Sequence, residues 1–155
     1  MANTLTSLHY HVVFSTKNRH PWIQPEIENR VWSYLGGIAK EHDMKACLIG
    51  GVENHVHLLL GIPPILPVSK AVQFIKGGSS IWIKQTFGDA GGFGWQDGYA
   101  AFTVSKSLLP EVENYIRNQR EHHRVKSFEE EYRAMIEKHG LQCETRYLFD
   151  GEHVG

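Results

Sequence analysis

The chain has 155 residues, the size of one ordinary domain, and its apolar fraction of 41% is enough for a real core. A formal net charge of −1 argues against indiscriminate duplex binding, and the composition excludes disordered, collagen-like and coiled-coil classes. The uncharged run from Val56 to Pro64 is far too short to span a bilayer, Met1 to Leu8 has no secretion-signal pattern, and two cysteines, Cys47 and Cys143, make no disulfide framework, so the expected setting is a reducing cytoplasm without a membrane partner.

Leu8 to Thr16 alternates, with Leu8, Tyr10, Val12 and Phe14 on one face and His9, His11, Val13 and Ser15 on the other, which predicts a strand. After a polar loop over Lys17 to Gln24, Pro25 suits a first helical turn. Ile27, Val31, Leu35 and Ile38 then recur at helical spacing, to an end near His42 or Asp43. Met44 to Val52 and His55 to Ile62 read as two strands, joined by a turn at Glu53-Asn54. Val68, Val72, Ile75 and Trp82 mark a second helix to about Phe87, in which Gly77-Gly78 allows close approach of another segment. A glycine-rich loop over Gly88 to Gly98 lacks a phosphate-loop pattern, and Tyr99 to Lys106 predicts a further strand.

Ser107 and Pro110 open a third helix reaching about His123. Ser127 with Glu130 fits a capping box for a fourth helix, Phe128 to His139, closed by Gly140 in the left-handed conformation. Leu141 to Gly155 is a tail whose aromatic residues can dock. The order strand, helix, strand, strand, helix, strand predicts one α+β domain over 1–155, a ferredoxin or RNA-recognition type of sandwich with a mostly antiparallel sheet. Its core spans about 8–126, and a C-terminal helix and tail occupy 127–155.

Two segments carry candidate chemistry. On a strand, side chains alternate faces, so His55 and His57 project together while Val56, Leu58 and Leu60 project oppositely. A His-x-His alone reads as readily as two surface histidines beside a core strand. On the third helix, Tyr115 and Gln119 stand four apart and share a face, though a packed tyrosine and a solvated glutamine explain them equally well. Together they make a constellation. A helix laid on the open face of the sheet presents a phenol and a carboxamide to paired imidazoles. Two His nitrogens and one Gln oxygen then make a neutral ligand set for Mg²⁺ or Mn²⁺, with Mn²⁺ favoured by the imidazoles.

At these residues the sequence resembles the single-tyrosine HUH transposases of the insertion-sequence 200/605 type, including their repeat-associated relatives. The His-hydrophobe-His motif is matched by His55-Val56-His57, and the tyrosine and glutamine motif by Tyr115 and Gln119. Similar stretches are Lys76 to Ser80, Gly94 to Tyr99 with Thr103 to Ser105, and Tyr115 to His123 followed by Phe128-Glu129-Glu130-Glu131. Many relatives carry aspartate where this chain has Asn54.

The resemblance implies a metal-dependent DNA strand transferase that cleaves and rejoins single-stranded DNA, often a hairpin, through a 5′-phosphotyrosine. It also implies a homodimer, in which some members complete one subunit's site with the other's tyrosine helix. Lys17, Arg19, Lys76, Arg117, Arg120 and Arg124 are candidates to neutralise phosphate, and Trp22, Trp82, Trp95 and Phe93 to stack on bases, each more simply a solvated charge or core aromatic. The competing readings are a single-stranded nucleic-acid binding module, domesticated or with catalysis lost, and a hydrolase using water as the nucleophile.

Overall fold

The computed structural model describes residues 3–142 together with 148 and 149. Alternation in the sequence produces four strands: β1 (His9–Ser15), β2 (Lys45–Val52), β3 (His55–Gly61) and β4 (Ala100–Val104). They form one sheet in the order β2-β3-β1-β4, antiparallel at every join. The two central strands are covered on both faces, and β3 is buried over its first six residues. In the register of the sheet, His57 stands opposite Val13 and Gly50, and His55 opposite Ser15 and Val52.

The apolar face is covered by α1 (Pro25–Glu41) and α2 (Val68–Thr86). Val12, Phe14, Val56, Leu58 and Leu60 of the sheet meet Val31, Leu35, Ile38, Ala71, Val72, Ile75 and Ile83 of the helices in one core. Each large aliphatic side chain so buried contributes about 1.5–3 kcal/mol. At Gly78 a side chain would come within 3.0 Å of Ile38 on α1, whereas Gly77 faces no such neighbour, so the expected close approach belongs to one glycine of the pair.

The opposite face carries α3 (Leu109–Arg117), α4 (Gln119–His122) and α5 (Phe128–Lys138). The single third helix expected to about His123 is broken at Asn118, whose φ of −95° and ψ of 18° leave the helical region. Asparagine is a poor interior helix residue because its side chain competes for backbone partners. The Asn118 N–H still reaches the Asn114 carbonyl, so the chain bends without changing course. The capping box at Ser127 and Glu130 forms as expected, and Gly140 has a φ of +69°. A second, smaller core joins Val13, Ala100 and Phe102 to Phe128, Tyr132 and the docked Phe149 of the tail.

Two glycines position the histidine strand and the helix laid over it. A side chain at Gly51 would collide with the His55 carbonyl and the Val56 backbone, so the turn carrying His55 needs glycine there. At Gly50 an added carbon would lie 3.0 Å from the Ile116 side chain and 3.4 Å from its carbonyl oxygen, so glycine lets α3 lie close on β2. The expected strand at Met44 to Val52 also carries an irregularity between Ala46 and Leu48, at Cys47, which is a free thiol. Cys143 lies outside the described residues. Among the described residues no helix is long and apolar enough to cross a membrane.

Candidate active site on the histidine face

The β2–β3 turn and the alternation of β3 set His55 and His57 side by side on the face under α3 to α5, both fully buried. Each imidazole is held from behind through Nδ1. His55 Nδ1 lies 2.8 Å from Asn54 Oδ1, and His57 Nδ1 lies 2.8 Å from His11 Nε2 on β1. When each Nδ1 carries the ring hydrogen and donates it to these partners, the Nε2 lone pair is left turned inward, the tautomer that a metal-binding imidazole needs.

What they face is Glu131. Its Oε1 lies 3.2 Å from His57 Nε2, 3.4 Å from His55 Nε2 and 3.0 Å from His123 Nε2. Its Oε2 accepts hydrogen bonds from the Tyr115 hydroxyl and, at 3.0 Å, from Gln119 Nε2. The Gln119 Oε1 points at the same centre, 2.9 Å from His55 Nε2 and 3.1 Å from His123 Nε2. The break at Asn118 therefore does not separate Tyr115 from Gln119. The Tyr115 ring stands 5.7 Å from that of His57, centroid to centroid, so imidazoles and phenol of one chain occupy one site.

Protonation follows from burial. His11 is pushed down to about 3, first by burial and then by the neighbouring His57. His55 is pushed down to about 4 by burial, against the opposing hydrogen bond to Glu131. Both rings are neutral near pH 7. Burial works to raise the Glu131 carboxyl, but hydrogen bonds from His123, His55 and His57 outweigh it and hold the group well below the usual carboxylate range. The Tyr115 phenol is pushed far up, by burial first and then by the Glu131 carboxylate that accepts its hydrogen bond. It is a neutral hydroxyl here.

These shifts carry a pH prediction. Between pH ~6.5 and ~4 the unfolded chain protonates its histidines while folded His11 and His55 stay neutral, so stability falls as pH falls through that window. Thermal melts in chelator from pH 7 to pH 4 are expected to show a declining Tm, and His11→Gln is expected to flatten the decline.

The donor set fits a divalent cation. His55, His57 and Glu131 each offer one ligand atom, and these lie within 4.8 Å of one another. In the tautomer with Nε2 unprotonated, two ring nitrogens, Glu131 Oε1 and the Gln119 oxygen converge as acceptors, an arrangement that a cation stabilises. Two imidazoles, a carboxylate and an amide oxygen suit a first-row divalent ion or Mg²⁺.

Sequence reasoning placed Tyr115, His55, His57 and Gln119 at one site and missed Glu131, His11 and His123. A signal for Glu131 was present. Phe128, Glu131, Tyr132 and Met135 fall at i, i+3, i+4 and i+7, which puts this one acid of the Glu129-Glu130-Glu131 run on the inward stripe of α5.

The candidate phosphate contacts are spread over other surfaces. Lys76 donates to the carbonyls of Gln96 and Gly98 at 2.7 and 2.6 Å and so clamps the glycine-rich loop. Arg120 bridges Glu53 and Glu28, Arg117 stands 3.8 Å from Glu113, Arg124 stands 3.1 Å from Glu121, and Arg19 stands 3.6 Å from Glu129. Lys17 is exposed. Of the stacking candidates, Phe93 and Trp95 are buried beside Phe14, and Trp82 stacks on Tyr34.

A sheet with a histidine pair on one face, a carboxylate between them and a tyrosine hydroxyl alongside defines a metal-site and nucleophile constellation, and comparison places it. Residues 4–119 match the family described as "Transposase IS200 like", and the chain belongs to that family. It is 30% identical over 126 residues to the transposase for insertion sequence element IS200 of Salmonella typhimurium, covering 78% of this chain and 82% of the relative. It is 26% identical over 117 residues to the ISDra2 transposase TnpA of Deinococcus radiodurans, covering 72% and 84%.

Among solved structures, that of a candidate transposase from Deinococcus radiodurans superposes with a TM-score of 0.64 at 27% identity, covering 77% of this chain and 95% of that one. A REP-associated tyrosine transposase bound to a REP hairpin superposes with a TM-score of 0.59 at 10% identity, covering 79% and 72%, a likeness of fold. The family match ends at Gln119, so Glu131 and all of α5 lie beyond it.

Proposed function

We propose that this transposase cleaves and rejoins single-stranded DNA with Tyr115 as nucleophile, beside a divalent cation held by His55, His57 and Glu131 with Gln119. The observation that carries this reading is the convergence of the phenol and both imidazoles on the two oxygens of one carboxylate. Oε1 faces the histidines and Oε2 holds the phenol hydrogen.

The bound cation, Mn²⁺ or Mg²⁺, supplies Lewis-acid polarisation of the phosphate and offsets the negative charge that keeps the phenol protonated. The chain's own groups do the rest. The Tyr115 oxygen attacks phosphorus, the bond from phosphorus to the 3′ oxygen breaks, and the strand leaves as a 3′-hydroxyl after taking a proton from solvent. The phenol proton departs along its hydrogen bond to Glu131 Oε2. His11 and Asn54 hold the imidazoles in the tautomer that keeps Nε2 available. One phosphoester replaces another, so a 3′-hydroxyl can reverse the step with no external energy source. Lys17, Arg117 and Arg124, on the surface, are proposed phosphate contacts, and a homodimer is the proposed assembly.

The test is a labelled-oligonucleotide assay with single-stranded, hairpin and duplex DNA, in Mn²⁺, Mg²⁺ or EDTA. A covalent adduct is expected with unpaired DNA and metal only. A cleaved product without adduct would replace this reading with hydrolysis by water, and binding with neither would replace it with a catalytically lost module.

A further inference from the structure

Between α3 and α5, over the end of the sheet bearing β4, lies a half-open cleft of about 500 Å³. That volume falls within the range of about 300–1,000 Å³ usual for small-ligand sites. Tyr115 of the candidate site lines it, together with the buried Glu131, His11 and Phe102. Phe102 is one half of a flat stack with His139, the ring centroids 4.0 Å apart and 19° from coplanar. Met135 on α5 and Val112 on α3 form apolar walls, with the exposed Thr103 at the edge. Lys126 and Lys138 stand on the rim, and Glu111 is the acidic group among them. The half-exposed Leu108 lies at the mouth.

We infer that this cleft is a nucleoside subsite, which receives the unpaired base next to the phosphate that Tyr115 attacks. The inference rests on the proposed role of Tyr115 and adds the part of the substrate that the catalytic cluster does not touch. Continuity carries it, because a phosphate at the Tyr115 oxygen has the cleft directly beside it. The chemistry agrees. The walls are apolar, which suits the faces of a base. Two exposed cations, Lys126 and Lys138, suit the next phosphates of a strand. A duplex offers a base to such a recess only after unpairing and unstacking it, a cost that an unpaired strand avoids. Ala134 and Met135 form the α5 wall, so the size of these side chains can set which base is preferred at the cut.

The test uses the intact, metal-free chain labelled with ¹³C-methyl methionine. Met135 lines the cleft, and Met44, buried in the core on the other face of the sheet, is the internal reference. Titration with each of the four deoxynucleoside 5′-monophosphates is expected to shift the Met135 methyl saturably, with at least one base preferred, and to leave Met44 in place. Ala134→Trp, at an exposed position on the cleft wall, is expected to weaken that binding by about tenfold or more while its Tm stays near that of the parent.

No Met135 shift with any nucleotide, an equal shift with inorganic phosphate alone, or undiminished binding by a folded Ala134→Trp protein would overturn the subsite. The adduct assay separates the two readings. Adduct formation with no Met135 response removes the subsite and leaves the nucleophile, and the reverse pattern removes the nucleophile.

Discussion

Tyr115→Phe is expected to abolish covalent attachment to DNA, with strand cleavage falling by roughly 10⁴-fold or to background, because the substitution removes the attacking oxygen and little else. The ring is half-buried beside His57 and His11, and phenylalanine keeps that packing. The lost hydrogen bond is the one to Glu131 Oε2, which Gln119 Nε2 continues to serve. Binding of unlabelled single-stranded DNA in a mobility-shift assay is therefore expected to change by no more than about threefold, since the phenol oxygen acts in the chemical step rather than in uniform binding. An unchanged adduct yield in this variant would move the nucleophile to another residue.

The second large effect is at the cation ligands. His57→Ala removes one of two inward ring nitrogens, and Glu131→Gln removes the only anionic donor of the candidate set without changing its size. Each is expected to weaken Mn²⁺ binding by roughly 100-fold and to lower metal-dependent cleavage correspondingly, as measured by electron paramagnetic resonance of free Mn²⁺ alongside the adduct assay. The two differ in an informative way. His57→Ala also leaves a cavity in a fully buried position and breaks the bond to His11, so its Tm is expected to fall. Glu131→Gln keeps the size of the side chain and one of its oxygens, so it is expected to lose metal with a smaller fall in Tm. Retained Mn²⁺ affinity in both variants would remove the cation from this face of the sheet.

How far this site could be read from the sequence depends on which contacts are local. Alternation in β1 and β3 is a period of two that survives any tertiary context, so the shared face of His55 and His57, and the opposite face of Val56, Leu58 and Leu60, were legible at once. The spacing of Tyr115 and Gln119 was likewise legible, and it survives the break at Asn118, since both side chains still reach Glu131 Oε2.

Glu131 was not legible as a ligand, although the helix that bears it was foreseen with its capping box and its terminal Gly140. Its role depends on α5 docking over the histidine face, a packing of Phe128 and Tyr132 on Val13 and Phe102 that no local pattern states. His11 was placed on the correct face of β1 but had no reason to be singled out until the register put it one diagonal step from His57. Gly50 falls inside the predicted strand with no local signal of its own. Its function is to admit Ile116, a contact between residues far apart in the chain. The cationic candidates fared differently for a related reason. A lysine such as Lys76 carries the same charge whether it meets phosphate or the carbonyls of a neighbouring loop, and only the fold shows that it holds Gln96 and Gly98.

The proposed chemistry is a single event at one atom, so its most direct test is to find that atom modified. The protein is incubated with single-stranded oligonucleotide and Mn²⁺, the DNA is trimmed with nuclease, and the peptides are mapped by mass spectrometry. The expected product is a nucleotide joined through its 5′ phosphate to the peptide containing Tyr115, with no such mass when EDTA replaces the metal. A nucleotide on any other side chain, or on Tyr115 in the absence of every divalent ion, would contradict the proposed role of Tyr115 and its cation.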